Sequence, residues 1–521
     1  MRLLHSRQKG CKHFHVLLVY AILTGCLVSR SHAQHSTTTL QAARTTAIRF
    51  CGGCHQFPEP GMLDRDTWTG RVLPIMGWRL GIKGPDNDPY ADLDPMEKER
   101  VASLGIYPEK PLVTRQEWSD IVDYFKKSAP TSIKLPEPGT EKQLGPDQFI
   151  AVPLKIDDQT IPSISMVEFD TAQRNTYIGD ARNRLFRLDN NLTLQQSWSL
   201  TGPPADISFP ALGSPRLLMV GSIAPTEQRN GVLFDLRDPQ DSSISRPPII
   251  DLARPVHTSI GDVDGDGIQD AVVCEFGHHT GQLTLFPGQQ PENAAILIAR
   301  PGARQTILKD VDHDGRLDII ALMAQAQEQI ILLKNLGDGR FSLQVLLSFS
   351  PLHGLSHMEL KDMDGDGDED LLVSNGDNWD SSPIRKPYHG IRIFLNDGTF
   401  KFKQGAFFPL PGASKAMATD FDGDGDPDIA AISFYDDPDD PMRGFLLLEN
   451  KGALQFDRHL IPAARTGKWL TMDCADIDRD GRTDIILGSY FHNPLEATKL
   501  TMKGITDFPQ ILVLKNQWKL K

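Results

Sequence analysis

Two residue patterns in this chain could do chemistry. The first is Cys51-Gly52-Gly53-Cys54-His55. Two thiols three positions apart can reach the two vinyl groups on one edge of a porphyrin, and the adjacent imidazole then lies beneath the iron as its proximal ligand. The second is a nine-residue pattern, D-x-D-x-D-G-x-x-D, that occurs five times. It supplies Asp262, Asp264, Asp266 and Asp270; Asp310, Asp312, Asp314 and Asp318; Asp362, Asp364, Asp366 and Asp370; Asp420, Asp422, Asp424 and Asp428; and Asp476, Asp478, Asp480 and Asp484. Four carboxylates that converge on one point repel unless a cation sits among them. Calcium takes six to eight oxygens in irregular geometry and fits better than magnesium, so the pattern predicts about five Ca²⁺.

Rival readings of both patterns are weaker. A redox dithiol would need a βαβ setting, and the flanks of Cys51 read as helix. Zinc would need a second Cys or His pair nearby, and this region has none. An EF-hand shares the first six loop positions but needs a bidentate Glu at position 12. Here position 12 is Val273, Ala321, Val373, Ala431 or Leu487, and each loop runs straight into a strand-like apolar stretch.

Several elements must position these groups. Residues 1–33 hold five basic residues and no acid, an apolar run from Val16 to Val28, and a small-residue end at Ser31-His32-Ala33. That reads as an export signal, too short to be a lasting membrane anchor. Leu23-Thr24-Gly25-Cys26 resembles the bacterial lipoprotein box, which would instead make Cys26 a lipid anchor. The product is then exported, either periplasmic or associated with the cell surface or outer membrane. No other segment is long and apolar enough to span a bilayer.

Residues 36–130 read as a small helical domain. Thr114 and Glu117 form a capping box, and Trp118, Ile121, Val122 and Phe125 share one helix face. Met62, Met76 and Met96 are candidate sulfur ligands for an iron. Of these, Met76 stands close to a proline in Leu73-Pro74-Ile75-Met76-Gly77. Residues 131–149 form a Pro-rich linker.

The acidic loops start 48, 52, 58 and 56 residues apart, a period that signals a propeller or solenoid. Strands follow each loop, for example Ile330 to Leu333 and Ile391 to Phe394. Asn/Gly turns at Asn335, Asn396 and Asn450 make hairpins. The expected unit is loop, strand, strand, hairpin and strand. Residues 150–250 repeat the strand rhythm twice without an acidic loop. Two blades without metal and five with it make seven.

These loops resemble FG-GAP/VCBS repeats, the integrin-α-like β-propeller with calcium loops in selected blades. The haem segment resembles class I cytochrome c, and the whole looks like a group of exported bacterial cytochrome–propeller proteins. The implied fold is a small all-α cytochrome c-like domain followed by an all-β seven-bladed propeller over 150–521. The implied haem c is held by Cys51, Cys54, His55 and Met76.

The chain has 521 residues, 54 basic and 68 acidic, for a net charge of −14. That balance excludes a phosphate-backbone binder, and no nucleic-acid partner is expected. The expected function is single-electron transfer, with the ring docking a redox partner protein or a surface polymer. A propeller dehydrogenase passing substrate electrons to the haem, or a pure adhesion module, are the alternatives. Cys274 and Cys474 read as small buried hydrophobes. Loops 376–390, 434–443 and 490–508 break the rhythm. Arg385, Lys386, Tyr388, Trp379 and Asp436-Asp437 with Asp439-Asp440 are candidate binding surfaces, and His278-His279, His353, His357, His389 and His492 a candidate histidine group at the ring mouth.

Overall fold

The computed structural model of the chain describes residues 39–83, 88–91, 93–137, 139–210, 213–237, 248–377, 382–436 and 440–519. The expected export segment with Cys26 lies outside them, as do Trp379, Asp437 and Asp439.

Seven sheets form a β-propeller, the number expected from the repeats. Blades 1 to 5 are four-stranded meanders in chain order, beginning at Ile164, Pro204, Pro255, Ala303 and Leu355. Blade 6 begins at Lys415 and blade 7 at Trp469. The outer strand of blade 7 comes from the far end of the ring sequence. Phe149–Leu154 pairs antiparallel with Ile511–Asn516, Phe149 opposite Asn516 and Leu154 opposite Ile511. Closure by this strand covers edges that would otherwise stay unpaired. Blade 6 carries a fifth strand, Glu141–Gln143, parallel to Phe456–Leu460. The last part of the stretch expected to be a linker is thus bound to the ring.

The second strands Asp270–Glu275, Asp318–Met323, Asp370–Asn375, Asp428–Ile432 and Asp484–Ser489 are buried at every position. Adjacent blades cover both of their faces, which is why they read as continuous apolar runs rather than alternating ones. The acidic loops do not open each blade, as the sequence suggested. Each joins the first strand to the second, as 262–269 does between Pro255–Gly261 and Asp270–Glu275.

The first strands line the axis and carry polar side chains that bond across blades. Asp206 Oδ2 accepts from Thr258 N at 2.7 Å, Gln305 Oε1 from Met358 N at 2.9 Å, Glu359 Oε2 from Ala418 N at 3.0 Å and Asp473 Oδ2 from Phe169 N at 2.7 Å. In six blades a bulge near the start of the first strand shifts its register against the second. Such bulges re-aim side chains and strengthen twist.

The N-terminal helices have a core of their own. Residues 39–51 are helical, 65–79 form a helix with one wide π turn at Trp68–Val72, and Arg115–Ser128 starts on the Thr114–Glu117 capping box. Ala47, Leu63, Trp68, Leu73, Ile121 and Phe125 pack together, with the Trp68 and Phe125 rings 4.5 Å apart. Leu352 and Ile384 of the ring pack against the same core.

This helical body sits on one end of the ring. Glu97 accepts from Thr226 Oγ1 and, at 2.7 Å, from Glu227 N. Arg79 Nη2 lies 3.0 Å from His279 Nδ1, and Tyr388 OH donates to Met62 O at 3.1 Å. Glu227, His279 and Tyr388 lie between the second and third strands of blades 2, 3 and 5. In a meander those turns are at the opposite end from the turns between first and second strands. The helical body and the five acidic loops therefore occupy opposite ends of the ring.

Candidate metal and cofactor sites

Cys51 ends the first helix and is half-buried, Cys54 is exposed, and both thiols are free. Burial, and next the Cys54 sulfur, push the Cys51 thiol up to about 11. A nucleophilic dithiol needs a lowered thiol pKa, so the environment opposes the redox-dithiol reading. His55 Nδ1 lies 2.9 Å from the Gln56 carbonyl oxygen, and Nε2 has no partner among the described residues. An imidazole whose Nδ1–H is held by a carbonyl presents Nε2 as its lone pair, the usual posture of an iron or zinc ligand. Gln327 of blade 4 donates to the Cys54 carbonyl oxygen at 3.2 Å, so the ring touches this loop directly.

The three candidate sulfurs have different surroundings. Met76 lies on Leu73–Arg79 and packs against the helical core, as do Phe50 and Phe57, the aromatics flanking the Cys-His motif. Met62 Sδ accepts from Ser350 Oγ at 3.3 Å, so its sulfur already has a partner on the ring. Met96 is 79% exposed and far too open to face an iron.

The acidic loops show two distinct carboxylate roles. In the loops of blades 3 to 6 the carboxylates at positions 1, 3 and 9 bring oxygens within 4.8 Å of one another: Asp262, Asp264 and Asp270; Asp310, Asp312 and Asp318; Asp362, Asp364 and Asp370; Asp420, Asp422 and Asp428. Position 9 is also a structural staple. Asp370 is fully buried, and its Oδ2 accepts from Met363 N at 3.0 Å while Oδ1 accepts from Asn396 N at 2.8 Å. Asp270, Asp318, Asp428 and Asp484 make the same pair of bonds, to Val263 and Gly288, Val311 and Asn335, Phe421 and Asn450, and Ile477 and Asn516.

Position 1 caps the turn. Asp262 accepts from Gly265 N and Gly267 N, Asp362 from Gly365 N and Gly367 N, and Asp476 from Asp480 N and Gly481 N. The position-5 residues Asp266, Asp314, Asp366, Asp424 and Asp480 stand outside these triads. Each accepts from the backbone two residues on, as Asp266 does from Ile268 N at 2.7 Å.

Burial holds several of these acids above the ordinary carboxylate range. Asp428 and Asp484 are pushed up to about 7 by burial, against the pull of their backbone donors. Asp264 and Asp364 are also raised, by burial first and then by neighbouring carboxylates. A divalent ion would relieve both effects.

Of the remaining candidates, His492 is exposed and the others among the described residues are partly or fully buried. Lys386 is buried with Nζ donating to Ser382 O, Arg385 pairs with Asp436 at 2.8 Å, and Tyr388 contacts the helical body. Cys274 is buried and Cys474 half-buried, and burial raises both thiols. The His278 and His279 rings lie 4.2 Å apart, tilted by 41°, beneath the helical body, where burial pushes His279 down to about 3 and keeps it neutral. Sequence reasoning missed an axial group of Glu168, Lys415, Glu359, Asp473 and His257; it also includes His357, which was expected at the ring mouth and lies instead on the first strand Leu355–Lys361. Lys415 Nζ lies 3.8 Å from Glu168 Oε1, and burial pushes Glu359 up to about 7. Its signal was faint, a charged residue in each of several first strands.

Residues 310–373 and 420–487 match the family described as FG-GAP-like repeat. The fold and these loops together define a seven-bladed β-propeller with FG-GAP-like repeats. Similar solved structures include two of BBS1N in complex with ARL6DN, one soaked with mercury and one with lead. Both are 9% identical, with TM-scores of 0.41 and 0.43, covering 72% and 71% of this chain and 98% and 96% of theirs. A third is the Pan2 WD40 domain of Neurospora crassa, 9% identical with a TM-score of 0.42, covering 72% of this chain and 99% of that one. No curated protein matches the chain. Among the described residues no helix is long and apolar enough to cross a membrane.

Proposed function

We propose that the chain is an exported monohaem c-type cytochrome carried on a calcium-braced propeller, and that it passes single electrons while the ring docks a partner protein or surface polymer. The observation that carries the reading is the posture of the Cys-His loop: two unpaired thiols, and an imidazole fixed through Nδ1 with Nε2 unengaged. When bound, haem supplies one-electron iron chemistry. Cys51 and Cys54 are the thioether anchors and His55 the proximal ligand. Gln56 O holds the imidazole's orientation, and Met76 on Leu73–Arg79 would be the sulfur ligand. A Met76 thioether on the iron would raise its potential and close it to small ligands, which would favour electron transfer over oxygen chemistry.

The acidic loops hold Ca²⁺ through positions 1, 3 and 9, with water and backbone carbonyls completing the shell. They brace the end of the ring away from the helical body, and this rigid scaffold presents its loops to a partner. The test is the absorption spectrum of the chain produced with a c-type maturation system. A haem that remains with the denatured polypeptide, and is lost in Cys51→Ala/Cys54→Ala, supports the reading. Colourless protein refutes it.

A further inference from the structure

The five acidic loops fall into two classes. In blade 4, position 7 is Arg316 and in blade 7 it is Arg482. Arg316 pairs with Asp314 and Arg482 with Asp480, the position-5 carboxylate of each loop. Each guanidinium is also anchored by its Nε to a third-strand carbonyl, Arg316 to Asn335 O at 3.1 Å and Arg482 to Asn516 O at 2.9 Å. The residue before that Asn is a lysine in both blades. Lys334 pairs with Asp312, and Lys515 reaches Asp478 at 3.1 Å, the position-3 carboxylate in each case.

The other loops carry neither base. At the equivalent places blade 3 has Ile268 and Pro287, blade 5 has Asp368 and Leu395, and blade 6 has Asp426 and Glu449. The turns differ too. Position 4 is left-handed Gly265, Gly365 or Gly423 in blades 3, 5 and 6, but left-handed His313 and Arg479 in blades 4 and 7.

We infer that the loops of blades 4 and 7 are neutralised by their own arginine and lysine, and that calcium occupies the loops of blades 3, 5 and 6 in preference to them. One Arg and one Lys bring two positive charges, the charge of one Ca²⁺, to the carboxylates of positions 3 and 5. An incoming ion must displace a lysine from the position-3 oxygens it needs. Convergence of oxygens alone does not separate the classes, since Asp310, Asp312 and Asp318 are as close together as Asp362, Asp364 and Asp370. The tethered charge does. The inference rests on the calcium reading above and assigns which loops use the ion.

Calcium bound per chain, measured by equilibrium dialysis of the full-length protein at about 1 mM free Ca²⁺, tests it. Asp364→Asn is expected to lose one ion and Asp312→Asn none; both positions are exposed, so neither change opens the core. Arg316→Gln/Lys334→Gln is expected to gain one. If Asp312→Asn loses an ion as Asp364→Asn does, or the double variant gains none, the inference is overturned and the calcium reading stands. A wild-type chain that binds no calcium removes the reading itself and the inference with it.

Discussion

Position 9 and position 3 of an acidic loop look alike in sequence and should behave differently when deleted. In blade 5, Asp370 is fully buried and takes two backbone N–H groups, from Met363 at 3.0 Å and Asn396 at 2.8 Å. Asp370→Ala strands both donors in the interior, at about 1–3 kcal/mol each, so the expected cost is about 4 kcal/mol. That cost is independent of metal. Asp364 is exposed, and its contribution is to the ion. Calcium at a hundred times its dissociation constant stabilises a loop by about 2.7 kcal/mol. Asp364→Ala forfeits most of that in calcium and costs within about 0.5 kcal/mol in chelator. The assay is thermal unfolding followed by circular dichroism, each variant run in calcium and in EGTA. Asp370→Ala should lower the midpoint in both buffers, and Asp364→Ala in calcium alone. Equal losses for Asp364→Ala in the two buffers, or a neutral Asp370→Ala in EGTA, would refute the division of roles.

Further expectations concern the axis, the closure and the docking of the helical body. Glu359 carries a folded-state pKa of about 7 because of burial, above its ordinary 4.5. The native state therefore binds the extra proton between these values, and its stability falls as pH rises through that window. Glu359→Gln keeps an acceptor for Ala418 N, and its melting midpoint should gain on the wild type from pH 5 to pH 7 and level off above that; a constant difference would contradict this. Phe149 is 3% exposed and packs on Phe421 and Trp518 where the ring closes. Phe149→Ala should cost about 3–5 kcal/mol in urea unfolding, and a loss under 1 kcal/mol would mean that closure does not depend on this strand's packing. Glu97→Ala removes the acceptor of Thr226 and Glu227 and should speed proteolytic cutting between the helical body and the ring; an unchanged cutting rate would show that this contact does not hold the two together.

The parts of the fold that were legible are the parts whose signals are local. Each acidic loop fits within nine residues, and the buried second strands stand out as apolar runs, so seven blades could be counted. The closing strand Phe149–Leu154 was not recognised, because its partner Ile511–Asn516 lies at the other end of the chain and Pro153 weakens its strand pattern. First strands were missed as partners of the loops because they carry His257, Gln305 and Lys415 toward the axis, which blurs alternation. The loop aspartates were legible as a class, but the staple role of position 9 was not. It depends on donors such as Asn396, which folding alone brings near. Contacts of the helical body with Glu227, His279 and Tyr388 were equally invisible, since nothing in either segment encodes the other.

The proposed electron-transfer role rests on Cys51, Cys54 and His55. Intact-mass analysis of the chain, produced with a c-type maturation system and then denatured, asks the question most directly. A mass increase of one haem, retained through denaturation and localised to the peptide holding Cys51 and Cys54, is the predicted result. A chain at its bare polypeptide mass, with both thiols open to alkylation, would contradict it.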